Sequence, residues 1–193
     1  MVEIKDNFLD EYEFDKLEKV MMYPYLPWYY QDRIVSEDED GYQFMFCHLF
    51  YQTPQGASSD YMLPHLESTI DIVSPLSLYR IKANLLTRTK TIVKNTMHQD
   101  MHGMSDRVKK QWTTGLFYMN TNNGYTEFKD GTIVESVANR FCSFPADTFH
   151  RGTSCTDQNI RVVINFNYFA YEYDPNLAGN PDVSAYRRGL DNY

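Results

Sequence analysis

His98, Asp100 and His150, followed by Arg161, are the residues of this 193-residue chain whose types and spacing can do chemistry. In His98-Gln99-Asp100 the imidazole and the carboxylate stand two positions apart, so in an extended segment both project from one face toward a single ion. His150 would close the site. Two imidazoles and one carboxylate on one face of an octahedral ion leave three positions open, the facial arrangement suited to non-haem Fe(II), and open positions are where reactants bind. Arg161 adds a counter-charge, because its planar fork can donate two parallel hydrogen bonds to a carboxylate. It is the one charge in Ile160 to Phe169, the clearest strand in the chain by its β-branched and aromatic content. Burying an unpaired guanidinium is costly, so Arg161 is either at a solvated strand end or faces an anion, and the company of the triad favours the anion.

Context separates this motif from a decoy. Five histidines and 26 acidic residues make a chance His-x-Asp/Glu common, and one occurs at His65-Leu66-Glu67. That motif falls in Ser59 to Ser74, where Leu63, Leu66, Ile70 and Val73 recur at helical spacing, and residues two apart on a helix do not share a face. His65 therefore reads as a surface or boundary histidine. His98 instead follows the extended-looking Leu78 to Thr89 and precedes a turn at His102-Gly103. His150 lies between the strand-like Phe141 to Pro145 and Gly152. His102, four residues after His98, reads as a loop histidine rather than a ligand.

With these residues in hand, the chain resembles the Fe(II)- and 2-oxoglutarate-dependent dioxygenases, in particular their small prolyl-4-hydroxylase-like branch found in bacteria and phages. That family carries His-x-Asp, a second His several tens of residues later, and Arg or Lys about ten residues beyond. Here 49 residues separate Asp100 from His150, and Arg161 lies eleven after His150. Asn123-Gly124-Tyr125-Thr126-Glu127-Phe128 is similar to the family's Gly-Gly-x-Thr-x-Phe strand, with Asn123 in place of the first glycine. Thr114-Gly115-Leu116-Phe117-Tyr118-Met119-Asn120 is similar to the strand whose tyrosine shares the distal 2-oxoglutarate carboxylate with the basic residue. Asn84 departs from a family position that often holds a tyrosine contacting the co-substrate. The likeness covers residues 76 to 170.

The resemblance implies Fe(II) held by His98, Asp100 and His150, 2-oxoglutarate received by Arg161, Tyr118 and Thr126, dioxygen as co-reactant and ascorbate as an accessory reductant. It implies oxidative decarboxylation to succinate coupled to hydroxylation of a substrate C–H bond, with a prolyl residue of a peptide or protein as the leading substrate. The strand pattern agrees in part without it. Thr114, Leu116 and Tyr118 share one face by parity, which gives an apolar floor with one phenol able to hydrogen-bond an anion. Tyr118 reads equally as a core tyrosine, and Thr126 as an ordinary strand threonine.

The elements that must position these groups follow from periodicity. Phe14, Leu17, Val20 and Met21 predict a helix over Asp10 to Met22, ending before Pro24. An aromatic run from Tyr23 to Tyr30 leads into a strand ending near Val35, Ser36 to Gly41 reads as an acidic turn, and Tyr42 to Gln52 as a strand. After the Ser59 to Ser74 helix, strands are predicted over 78–87, 96–100, 112–119, 125–129, 132–137, 140–144 and 160–170. Many short strands with Gly, Asn and Asp turns indicate a sandwich or barrel with two helices on one sheet. The resemblance sharpens this to a mainly β fold with flanking helices, a double-stranded β-helix (jelly-roll, cupin-like) core. One domain over 1–193 is expected, with 1–75 supporting a core of 76–170 and a polar tail at 171–193.

Composition bounds the rest. The net charge of −8 disfavours a general nucleic-acid surface. The N-terminus lacks a signal-peptide pattern and no apolar run reaches membrane-spanning length, so a cytoplasmic protein without a membrane partner is expected. Cys47, Cys142 and Cys155 are scattered and odd in number, and are read as free thiols. One island departs from the acidic trend. Between Arg80 and Lys110 stand eight basic residues and two acidic ones, bracketing His98 and Asp100 and suited to an anionic substrate or to a solvated face. Two other classes stay open: an oxygenase acting on nucleic acid or a small molecule, and a non-catalytic jelly-roll metal-binding module.

Overall fold

A computed structural model describes residues 1–35 and 43–170. The elements, in chain order, are β1 (Glu3–Lys5), α1 (Glu11–Met22), β2 (Tyr29–Gln31), β3 (Met45–Gln52), β4 (Gly56–Ala57), α2 (Met62–Val73), β5 (Ser77–Thr87), α3 (Asp106–Lys109), β6 (Thr113–Tyr118), β7 (Tyr125–Phe128), β8 (Ile133–Glu135), β9 (Arg140–Pro145), β10 (His150–Gly152) and β11 (Ile160–Phe169). The predicted acidic turn at Ser36 to Gly41, the start of the Tyr42 strand and the tail lie outside the described residues.

Alternation of side chains on β5, β6 and β11 gives the major sheet two different faces. The strands run antiparallel in the order β1-β9-β6-β11-β5-β3-β2, with β4 attached to β3. On one face Ile81 and Ala83, Phe117, and Val162, Ile164 and Phe166 form a core with Phe14, Leu17 and Met21 of α1 and Met62 and Leu66 of α2. On the other, Leu116, Tyr118 and Val163 meet Phe128 and Val134 of the minor sheet, ordered β10-β7-β8. Two facing sheets with helices on the outer side of one make the mainly β jelly-roll architecture expected from sequence. No helix among the described residues is long and apolar enough to cross a membrane.

Local signals explain the helix ends. Asp10 caps α1, its side chain accepting from the Glu13 N–H at 3.0 Å, which satisfies one of the free amides of the first turn. α2 begins at Met62, later than predicted, and carries Pro64 in its first turn, where no N–H is needed. It ends at Ser74, whose φ of 48° turns the chain toward β5.

The structure corrects the predicted strands in three places. The extended stretch expected to reach Val35 is a strand only over Tyr29–Gln31. The predicted strand 96–100 is not continuous. His98 makes an isolated antiparallel bridge with His150, and Lys94 another with Thr153, so this segment lies alongside β10 by single bridges. Met101, with φ of 60°, then turns the chain away. Finally, β1, β4, β10 and α3 were not foreseen. Each has four residues or fewer, too short to carry a period, and the three strands exist because a partner strand supplies their hydrogen bonds.

Candidate active site

The space between the two sheets is a cavity whose wall combines Arg80, Lys82 and Asn84 of β5, Arg161 and Asn165 of β11, and the triad. His98, Asp100 and His150 each offer a donor atom, and these atoms all lie within 4.8 Å of one another. The decoy His65 sits on α2, its ring stacked on Tyr61. His102 lines the same cavity with its ring 6.4 Å from that of His98, outside the cluster.

The bridge between His98 and His150 explains how two residues so far apart in sequence converge. Their backbones exchange both hydrogen bonds, each at 2.9 Å, so the two side chains stand directly opposite on one face with ring centroids 4.7 Å apart. In both residues Nδ1 faces the backbone carbonyl two positions earlier, Thr96 at 3.1 Å and Thr148 at 3.0 Å. A carbonyl can only accept, so Nδ1 carries the proton and Nε2 is left with its lone pair toward the cavity. The His150 ring rests on Phe144 at 4.7 Å, which fixes its plane.

Asp100 is oriented by the major sheet. Its Oδ2 accepts from Thr114 Oγ1 at 2.9 Å and from the side-chain amides of Asn165 and Asn167 at 3.0 Å each. Oδ1 accepts none of these, and lies 4.0 Å from His98 Nε2 and 3.5 Å from the Arg80 guanidinium. Burial alone would raise this carboxyl, but His150 and His98 whenever they are protonated, the Arg80 guanidinium and the Asn165 amide outweigh it and hold Asp100 well below the usual carboxylate range. The group is thus ionised, with one oxygen saturated and one available. Two imidazole lone pairs and one carboxylate oxygen form a donor set that fits a divalent ion of the non-haem iron type.

Arg161 crosses from β11 toward the minor sheet and is 5% exposed. Its Nε donates to Ser136 Oγ at 2.8 Å, and Nη2 lies 3.4 Å from Thr126 Oγ1. It has no carboxylate partner among the described residues. Tyr118 is fully buried beneath it, the ring centroid 5.6 Å from the guanidinium carbon, and its hydroxyl donates to Thr126 Oγ1 at 2.8 Å. Tyr118 therefore stands one layer behind the cavity wall, whereas Thr126 and Arg161 line it. With Tyr118 and Arg161 both donating to Thr126, the threonine's own proton is free to point inward. Two glycines make room. A Cβ on Gly124 would meet Arg161 Cδ at 2.7 Å, and one on Gly152 would stand 3.4 Å from Arg161 Nη1 inside the cavity.

Sequence reasoning did not name Thr114, Asn165 and Asn167 as supports of Asp100, nor Ser136 and Gly152 as neighbours of Arg161. The signal for the asparagines was available. Arg161, Val163, Asn165 and Asn167 alternate along β11, so polar groups recur on one face of an otherwise apolar strand.

Comparison with solved structures places the fold. A prolyl hydroxylase from Trichoplax adhaerens, solved with a hypoxia inducible factor peptide fragment, superimposes with a TM-score of 0.58 at 13% identity, over 87% of this chain and 83% of that one. A 2OG-Fe(II) oxygenase family oxidoreductase from Burkholderia pseudomallei gives 0.58 at 9% identity, over 92% and 89%. The alpha-ketoglutarate-dependent epimerase SnoN of nogalamycin biosynthesis gives 0.56 at 14%, over 93% and 87%. No family model and no curated protein matches the sequence. The chain has the fold of the 2-oxoglutarate- and Fe(II)-dependent oxygenases, a fold that in these proteins accompanies more than one reaction.

Proposed function

We propose that the protein is an Fe(II)- and 2-oxoglutarate-dependent oxygenase that hydroxylates a C–H bond, with a prolyl residue of a peptide or protein as its substrate. The observation that carries this reading is one cavity holding three metal-type donors within 4.8 Å and, across from them, a buried guanidinium with no carboxylate partner among the described residues. When bound, the ion and co-substrate supply the oxidising power, 2-oxoglutarate being converted to succinate and carbon dioxide as one oxygen atom of dioxygen passes to the substrate.

The chain's own residues hold and orient. His98 and His150 offer Nε2 because their Nδ1 protons are committed to backbone carbonyls, and Asp100 offers Oδ1 because Oδ2 is committed to Thr114, Asn165 and Asn167. Arg161 receives the distal carboxylate, Thr126 donates its free proton to the same group, and Tyr118 steadies both from beneath. Burial of Arg161 keeps water from competing for that carboxylate. The prolyl assignment is supported by the sequence resemblance and by the likeness in fold to a prolyl hydroxylase that binds a peptide.

Succinate formation under air with Fe(II) and 2-oxoglutarate, with and without proline-containing peptides, tests this. His150→Ala is expected to lose metal binding and turnover together, and Arg161→Ala to weaken 2-oxoglutarate binding first. Folded, iron-loaded wild-type protein that forms no succinate with any substrate class would leave a metal-binding module as the reading.

A further inference from the structure

The inner cavity does not end at the triad. The face of the major sheet that carries Lys82 continues across β3 and β2 as an open groove of about 640 Å³, against about 200 Å³ for the cavity itself, and Arg80 and Lys82 line both. The register accounts for the continuity. Lys82 pairs with Leu49, and Asn84 with Cys47, which pairs in turn with Tyr29, so these side chains share one face. The cavity suits an ion and a short diacid, and anything larger must lie along the groove.

The positive charge at the junction is only partly compensated among the described residues. Lys82 is half-buried and has neither a hydrogen bond nor an ion pair among the described residues, and burial pushes its ammonium down from the usual range. Arg80, two residues away on the same face, has a buried Nε without a partner and only a loose 3.5 Å approach to Asp100. The Asn84 carboxamide oxygen beside them is also buried and unpartnered. On the proposed function, Asp100 and one carboxylate of 2-oxoglutarate face the divalent ion, and Arg161 answers the other carboxylate. Arg80 leans on Asp100, and Lys82 faces the groove with no anion paired to it among the described residues, an arrangement that is costly unless a ligand brings one.

We infer that Arg80 and Lys82 form a substrate-anion subsite, and that the substrate is an acidic peptide segment whose carboxylate lies between them while the reacting residue reaches the metal centre. The inference rests on the oxygenase reading and narrows its substrate. The groove itself argues for a peptide. Beyond the two cations it offers the Gln31 and Gln52 amides, the exposed Tyr29 ring and the Asp60 carboxylate. Two positive charges beside an aspartate, on a chain of net charge −8, answer one acidic side chain and not the repeated phosphates of a nucleic acid.

The test is binding, read apart from turnover. Fluorescence anisotropy compares two labelled proline-containing peptides that differ only in glutamate or glutamine flanking the proline, on protein loaded with Mn(II) and 2-oxoglutarate. The glutamate peptide is expected to bind at least about tenfold more tightly, the scale of one charge-assisted hydrogen bond in a part-buried site. Lys82→Met should bring that ratio close to unity. Lys82→Glu should prefer a lysine-flanked peptide, a gain that a misfolded variant cannot show. Equal affinity of wild type for both peptides, or discrimination that survives Lys82→Met, overturns the inference. So does a single-stranded oligonucleotide that binds more tightly than the glutamate peptide and depends on Lys82. Peptide-independent succinate formation by wild type is measured alongside. Its absence both without and with the peptides, with peptide discrimination intact, counts against the oxygenase reading, and its presence without discrimination counts against the acidic-peptide subsite.

Discussion

Gly124→Ala perturbs the placement of Arg161 without a clash against any of the three metal-type donors. A Cβ there meets three atoms below 3.0 Å: Arg161 Cδ at 2.7 Å, Asn122 Oδ1 at 2.8 Å and the Ser154 carbonyl oxygen at 2.8 Å. Two of these cannot yield cheaply. The Ser154 oxygen is backbone, and Asn122 is buried and pinned at both ends of its carboxamide, accepting from the Gly124 N–H at 2.9 Å and donating to the Asn120 carbonyl at 3.0 Å. The backbone at residue 124 must therefore ease away from these two, and the arginine stem must move by about 0.7 Å if the 2.7 Å contact is to reach the 3.4 Å of ordinary packing. That shift draws the guanidinium off Ser136 and away from the carboxylate it is proposed to receive. Loss of one hydrogen bond to a charged group is worth about 1.5–3 kcal/mol, so the 2-oxoglutarate Kd should rise roughly tenfold to a hundredfold. Overpacking of about 1–3 kcal/mol should lower Tm by roughly 2–12 °C in a chain of this size. Titration calorimetry of 2-oxoglutarate into Mn(II)-loaded protein and differential scanning calorimetry read the two effects separately. Metal affinity is expected to stay near wild type, because no ligand residue touches Gly124. An unchanged 2-oxoglutarate Kd in a folded Gly124→Ala protein would refute the assignment of Arg161 as the carboxylate receptor.

Asn167→Ala removes one of the three hydrogen bonds on Asp100 Oδ2 and one on Thr114, and should weaken Fe(II) or Mn(II) binding by about 10- to 100-fold, as checked by metal titration. Asp6 is held below the usual carboxylate range, chiefly by its hydrogen bond to Arg140. A depressed carboxyl contributes stability above its unfolded value of 3.8 and loses it as pH falls through the folded value. Asp6→Asn should therefore be slightly less stable than wild type at neutral pH, by under about 1 kcal/mol since Asp6 is half exposed, with the gap closing in denaturant melts below the unfolded value. The three cysteines are buried, and burial pushes the Cys142 thiol up to about 12. A thiol-specific reagent at mildly alkaline pH should label none of them quickly in the native protein and all three in denaturant, whereas prompt native labelling of Cys142 would contradict its position in the inter-sheet core.

Much of the architecture was legible because its signals are local. The apolar positions of α1 and the alternation along β5, β6 and β11 are periods long enough to read, and they fix which face of each strand meets helices and which meets the minor sheet. Convergence of His98, Asp100 and His150 was legible only as a spacing, and the means of convergence was not. The His98 to His150 bridge is a single cross-strand pair in a segment with no strand period of its own, so no window of sequence around residue 98 contains it. Arg80 and Lys82 were visible as part of a basic island, but a run of charge does not say which members turn inward. The donors that share the Asp100 oxygen, Thr114 on β6 and Asn165 and Asn167 on β11, come from strands distant in sequence, and register, not composition, brings them together.

The inward row of β11 also acts as a ruler. Arg161 and Asn165 are four residues apart on one strand, a rise of about 13 Å set by peptide geometry. Because β11 is hydrogen-bonded on both sides, to β5 and to β6, it cannot slide to accommodate a different length. The spacing of the Arg161 and Asn165 backbone positions is therefore graduated by the strand, and the Arg161 side chain spans what remains. If Arg161 receives the distal carboxylate as proposed, a diacid one methylene longer or shorter must be met by a new arginine rotamer, because the register of the strand beneath it does not give.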